Sequence, residues 1–105
     1  ILGSLKDGQR VIVEDGVAKL PDRSAFAGSI ATMDLAVRTV MNLGGVSLAD
    51  AVKMATITPA RIIGVDRTKG SLVAGKDADI VVFDEESVSV KMTLVEGRVV
   101  YNELV

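Results

Sequence analysis

Histidine, cysteine and tryptophan are all missing from this 105-residue chain, and its aromatic side chains amount to one tyrosine and two phenylalanines. With neither imidazole nor thiolate to offer, the chain by itself is not expected to build a tight zinc centre. It can form no disulfide and offers no thiol nucleophile. Aromatics at 3% leave little for stacking on bases. A net charge of −2 and a pI near 5.0 argue against a nucleic-acid partner. No apolar run approaches the roughly 18 residues of a membrane span, and no signal-peptide pattern is visible. The expectation is a soluble, cytoplasmic protein with neither nucleic-acid nor membrane partners. Proline is scarce, at two residues against ten glycines, which points to tight turns and not to a disordered linker. The first residue is Ile1 and not methionine, as expected of a processed or excised piece.

What the chain does have is apolar content. Hydrophobic residues make up 49% and the mean hydropathy is +0.40, high for so short a chain. Small domains expose proportionally more surface, so this load implies faces that pack against partners. The pattern along the chain changes period twice. Residues 1–22 read as short β structure: Val11-Ile12-Val13, a turn at Glu14-Asp15-Gly16, then Val17-Ala18-Lys19-Leu20, closed by Pro21 and Asp22. Arg23 to Ser29 is small and glycine-bearing and reads as loop. Helical spacing of Ile30, Met33, Val37, Val40 and Met41 predicts a helix from about Ile30 to Leu43, stopped by Gly44-Gly45. Ser47 then caps a second helix, with Leu48, Ala51, Val52 and Ala55 as its apolar stripe. Pro59, as first helical residue, opens a short third helix that Gly64 ends. From Lys69 the period is β. Ala78 to Phe83 predicts a strand buried on both faces, and Val88–Val95 and Arg98–Tyr101 flank a hairpin turn at Glu96-Gly97. Three regions result: 1–22 β-hairpin, 23–66 loop and helices, 67–105 strands.

Few constellations here could carry chemistry. Asp84-Glu85-Glu86 and the Asp77/Asp79 pair lie at strand ends and match no calcium-loop spacing, so solvated charge explains them. The spacing from Gly70 to Gly75-Lys76 imitates a phosphate loop, but Asp77 stands where Ser or Thr is required, and a strand follows where a helix should. Ala25-Phe26-Ala27-Gly28-Ser29 is more suggestive. A glycine just before a helix lets a ligand approach the backbone, whose free N–H groups can donate to its oxygens. The bland alternative is that Gly28 turns the chain and Ser29 caps the helix.

Two stretches carry a resemblance to a known family. KGSLVAGKDADIVVFD (Lys69–Asp84) resembles the C-terminal signature of the amidohydrolase superfamily, shared with dihydroorotases, ureases and deaminases. The narrower AFAGSIATMDLAVRTVMNLGGVSLADAVKMATITPARIIGV resembles the N-acetylglucosamine-6-phosphate deacetylase family, where an [LF]-[AS]-G-S loop leads into the last barrel helix. With the upstream hairpin included, the likeness spans essentially the whole chain. It implies an α/β fragment: the last helices of a TIM-type (β/α)8 barrel, which needs roughly 250 residues in full, plus C-terminal strands of an accessory β-sandwich. It also implies metal-assisted hydrolysis of a sugar-phosphate acetamide by a homodimer, with zinc or iron as the divalent metal of the complete protein and none bound by this chain. The family's metal ligands, phosphate grip and general acid/base Asp lie upstream and have no counterpart here, so no catalytic residue is assigned. Only Phe26, Ala27 and Gly28 match the substrate loop, with Phe26 near the acetyl or sugar face. Two other origins fit the sequence: another amidohydrolase of dihydroorotase or deaminase type, or a non-catalytic oligomerising module.

Overall fold

The computed structural model describes residues 6–104 of the chain; the part of the expected N-terminal β structure that falls before residue 6 lies outside them. Two compact units are present, Ile1–Thr32 and Met33–Val105.

In the first unit, strands β1 (Ile12–Glu14) and β2 (Val17–Lys19) form the expected hairpin. Its two-residue turn places Asp15 at φ 54° and Gly16 at φ 73°. Both central residues are thus left-handed, the twist that suits antiparallel strands, and an Asp-Gly pair tolerates it best. The following residues do not stay irregular. The backbone folds back on itself where the Leu20 N–H donates to the Ala25 carbonyl at 3.0 Å and the Arg23 N–H to the Leu20 carbonyl at 2.8 Å. A third strand, β3 (Phe26–Gly28), then pairs antiparallel with β2. The stretch expected to be loop is therefore a sheet edge. Its composition of small residues hides the fact, because the pairing comes from β2 and not from local propensity.

In the second unit, α1 spans Met33–Gly44, α2 Leu48–Ala55 and α3 Ile57–Ile63. Helix α1 begins three residues later than its periodicity suggests. Ser29 consequently caps nothing: its Oγ accepts the Ala31 N–H at 3.0 Å, a local turn ahead of the helix. Ser47 does cap α2, accepting the Asp50 N–H at 3.2 Å. Between α2 and α3 the chain breaks at one residue, Thr56 (φ −128°, ψ −90°), whose hydroxyl donates back to the Val52 carbonyl at 2.7 Å. Pro59 is therefore the third residue of α3, not the first. Its missing N–H costs nothing there, since the first-turn donors have no partner within the helix. Gly64 ends α3 at φ 78°.

Strands β4 (Ile80–Phe83), β5 (Val90–Val95) and β6 (Arg98–Asn102) follow as a second antiparallel sheet in that order. The β5–β6 turn repeats the first hairpin's chemistry, with Glu96 at φ 50° and Gly97 at φ 79°. Burial of β4 on both faces does not hold: Ile80 and Phe83 are half-buried, but Val81 is 50% and Val82 40% exposed. An apolar run reads as central only if layers cover both sides, and β4 is an edge strand of one sheet. The small core joins Val37 and Ala51 of the helices to Val88 of the β4–β5 loop, with Met41, Leu48 and Phe83 around them.

Candidate functional site

Phe26, Ala27 and Gly28 lie on β3, and the register explains what they present. Gly28 pairs with Ala18 and Phe26 with Lys19, so Ala27 is the extra residue of a β-bulge. A bulge bends the strand and re-aims its side chains, and bulges recur beside binding sites. Here it gives an aromatic ring left 76% exposed, two positions from a residue with no side chain. The sequence signalled these residue types but not the bulge, which exists only relative to β2.

The cations nearest β3 in this register are already engaged. Lys19 Nζ lies 2.9 Å from Asp15 Oδ2 and 3.3 Å from Glu14 Oε1, and Arg23 Nε lies 2.8 Å from the same Glu14 oxygen. The hydrogen bond from Arg23, then that from Lys19, holds the Glu14 carboxyl below its usual range. The bond to Asp15 raises Lys19. Sequence reading missed this network because its members lie up to nine residues apart and meet only across the hairpin.

The signature Lys69–Asp84 has a structural job. Lys69 Nζ sits 2.6 Å from Asp79 Oδ2 and 3.0 Å from Asp77 Oδ2, while Asp79 Oδ1 accepts the Glu96 N–H at 2.8 Å. The start of β4 is thereby tied both to the loop after α3 and to the β5–β6 turn. Gly70, at φ 97°, lies against α3: a Cβ there would come within 2.8 Å of Ala60 Cβ and 3.0 Å of Ile57 Cα. Its glycine serves close packing, and no phosphate cradle forms. Lys76 Nζ is turned to Ser71 Oγ at 2.7 Å.

An open hollow of about 1080 Å³ lies between the helices and the second sheet, walled by aliphatic side chains including Ala60, Ile63, Leu72 and Leu94. Lys69, Asp77 and Asp79 at its margin are tied to one another. Among the described residues no three carboxylates group in a way that could hold a metal ion. With no histidine or cysteine in the chain, it offers neither imidazole nor thiolate to a zinc centre. No helix among the described residues is long and apolar enough to cross a membrane.

Two small antiparallel sheets, three short helices and the Lys69–Asp79 tie are the parts of an α/β chain of the amidohydrolase family, whose profile matches residues 2–100, and this chain belongs to that family. Within it the chain is similar to N-acetylhexosamine-phosphate deacetylases. N-acetylglucosamine-6-phosphate deacetylase of Rattus norvegicus is 37% identical over 95 residues, covering 90% of this chain and 23% of that protein. N-acetylgalactosamine-6-phosphate deacetylase of Escherichia coli O157:H7 is 37% identical over 91 residues, covering 87% and 24%. The crystal structure of N-acetylglucosamine-6-phosphate deacetylase from Pasteurella multocida superimposes with a TM-score of 0.79 at 30% identity, covering 90% of this chain and 24% of that one. The chain thus spans about a quarter of the length of these relatives.

Proposed function

We propose that the protein carrying this chain hydrolyses the acetamide of N-acetylglucosamine 6-phosphate, releasing glucosamine 6-phosphate and acetate. In this reading the helices are the last of a (β/α)8 barrel, the second sheet belongs to an accessory β-sandwich, and β3 faces the substrate. The observation that carries it is the 37% identity running over nine-tenths of the chain, β3 included. A local motif match would end at the signature; this one continues through the helices and the first sheet.

Phe26, Ala27 and Gly28 are then substrate-contacting residues, positioned by the bulge and not catalytic. Their contribution is orientation: holding the reacting group in place converts binding into rate, and small displacements are costly. The divalent metal that this reading assigns to the complete protein belongs to segments outside these residues, as do the groups that move protons. No catalytic step is given to a side chain of this chain. A cytoplasmic homodimer completes the reading, and the exposed apolar residues of β6 and α3 agree with a chain that packs against further protein.

The test is Gly28→Val in the complete protein, assayed on N-acetylglucosamine 6-phosphate. A branched side chain in the strand should raise KM and lower kcat together. Wild-type constants in a properly folded variant would remove β3 from the substrate site. No turnover of amino-sugar phosphates by the wild type would remove the deacetylase reading altogether.

A further inference from the structure

Helices and sheet of the second unit are loosely joined. Among the described residues, close packing along whole elements runs from helix to helix and from strand to strand, and no helix packs closely along a strand. The open hollow lies between the two layers. Two fastenings of different kinds hold them. One is the polar tie from Lys69, in the loop after α3, to Asp77 and Asp79 at the start of β4. The other is apolar. Val88, in the loop between β4 and β5, is buried with Val37 of α1 and Ala51 of α2, and Phe83 at the end of β4 packs beside them.

We infer that this second fastening is a latch, whose release lets α1 and α2 part from the second sheet as one body while α3 and the sheet stay together. Val88 sits in the core under tension. At φ 56° it holds a conformation that a β-branched residue keeps only where its surroundings impose it. The loop itself imposes it. Asp84 Oδ1 accepts the Glu86 N–H at 3.0 Å, the Ser87 N–H at 2.8 Å and the Ser87 hydroxyl at 3.1 Å. The Val88 N–H donates to the Asp84 carbonyl at 2.8 Å, and the Asp84 N–H to the Ser89 carbonyl at 3.0 Å. From the helix side, Arg38 Nη1 on α1 donates to the Ser87 carbonyl at 3.3 Å.

Opening at this point has a low barrier in free energy for a definite reason. Withdrawing Val88 loses its burial but returns its backbone to an ordinary conformation, whereas parting the strands would break a ladder with no such relief. Local openings of this kind lie well below global unfolding. The Lys69 tie remains closed meanwhile, and Gly70, seated against Ala60 and Ile57, keeps α3 with the sheet. The parting then falls at Thr56, the single residue between α2 and α3, as expected of a hinge at an element terminus.

Hydrogen exchange read by mass spectrometry on the complete protein tests this, with Asp84→Ala, Arg38→Met and Asp79→Asn compared with wild type. Removing a carboxylate that holds the loop should speed exchange in α1 and α2 by about tenfold, while α3 and the β5–β6 hairpin stay within about twofold of wild type. Arg38→Met, which leaves the loop's own bonds intact, should move the same helices in the same direction by less. Asp79→Asn should instead speed the loop after α3 and the β5–β6 turn and leave α1 and α2 alone. Equal acceleration across the whole second unit, unchanged α1 and α2 in Asp84→Ala, or α3 opening together with them would overturn the latch. So would an Asp79→Asn variant that freed α1 and α2 as strongly as Asp84→Ala.

Discussion

Lys69 and Asp79 are joined by a 2.6 Å contact that leaves the other oxygen of Asp79 to hold the Glu96 N–H at 2.8 Å. One carboxylate thus serves two elements, and Asp77 shares only the lysine. Asp79→Ala should therefore lower the melting temperature more than Asp77→Ala. Equal shifts measured by calorimetry would mean that the Glu96 bond contributes nothing.

The pH dependence follows from the same groups. The Lys69 bond and the Glu96 N–H hold the Asp79 carboxyl below its ordinary value of 3.8, and the N–H and hydroxyl of Ser87, with the Glu86 N–H, do the same to Asp84. Glu14 is lowered by Arg23 and Lys19. A depressed carboxylate contributes stability above its unfolded value and loses it as pH falls through the folded one. Lys69 is raised, chiefly by Asp79, so its share is complete below its ordinary 10.5 and is lost only as pH rises beyond that. Stability should be flat near neutrality and fall below about pH 4. Asp79→Asn should flatten that acid limb; thermal melts from pH 2 to 7 would show whether it does.

Gly70→Ala should cost about 3 kcal/mol, combining an unfavourable positive φ with a backbone clash that no rotamer relieves. The neighbour at 3.0 Å is the Ile57 Cα, which cannot step aside as a flexible side-chain tip could. Urea unfolding reads the change directly. A loss under about 0.5 kcal/mol, the range of an ordinary surface substitution, would show that α3 and this loop do not meet so closely.

Val88 combines a buried side chain, 4% exposed, with a left-handed backbone at φ 56°. For a β-branched residue this conformation is strained. Val88→Ala removes packing and keeps most of the strain, for an expected loss of about 2 kcal/mol. Val88→Gly removes one methyl more yet frees the backbone, so it should be no worse than alanine. A clearly larger loss for glycine would mean that packing alone governs this position.

Ser47→Ala should destabilise by about 1 kcal/mol through the unsatisfied Asp50 N–H at the start of α2, whereas Ser29→Ala should be close to neutral, since its bond lies outside any helix. Paired urea titrations would separate the two serines, which look alike as cap candidates in the sequence.

The features legible in advance are those written within a few residues. Asp15-Gly16 and Glu96-Gly97 each carry the left-handed pair that a tight hairpin demands, and Ser47 and Gly64 bracket their helices as local capping chemistry requires. What escaped depends on distant partners. Strand β3 exists because β2 offers an edge, and beside Phe26 the residues Ala27 and Gly28 do not themselves favour extended pairing. The exposure of Val81 and Val82 follows from β4 being an edge strand, which a one-dimensional apolar run does not reveal. The start of α3 was misplaced because proline tolerates any position of the first turn. At the candidate site, the residues were legible and the device that aims them was not.

Ala27 has no partner of its own across the sheet, yet it is the residue that bends β3. In a true loop, a missing residue shortens a connection; here it would leave Phe26 and Gly28 opposite Lys19 and Ala18 as before and take away the bend between them. Lineages of this protein that keep the bend should show no gap in β3 when they are aligned. At this edge the length of the strand is inherited along with its side chains.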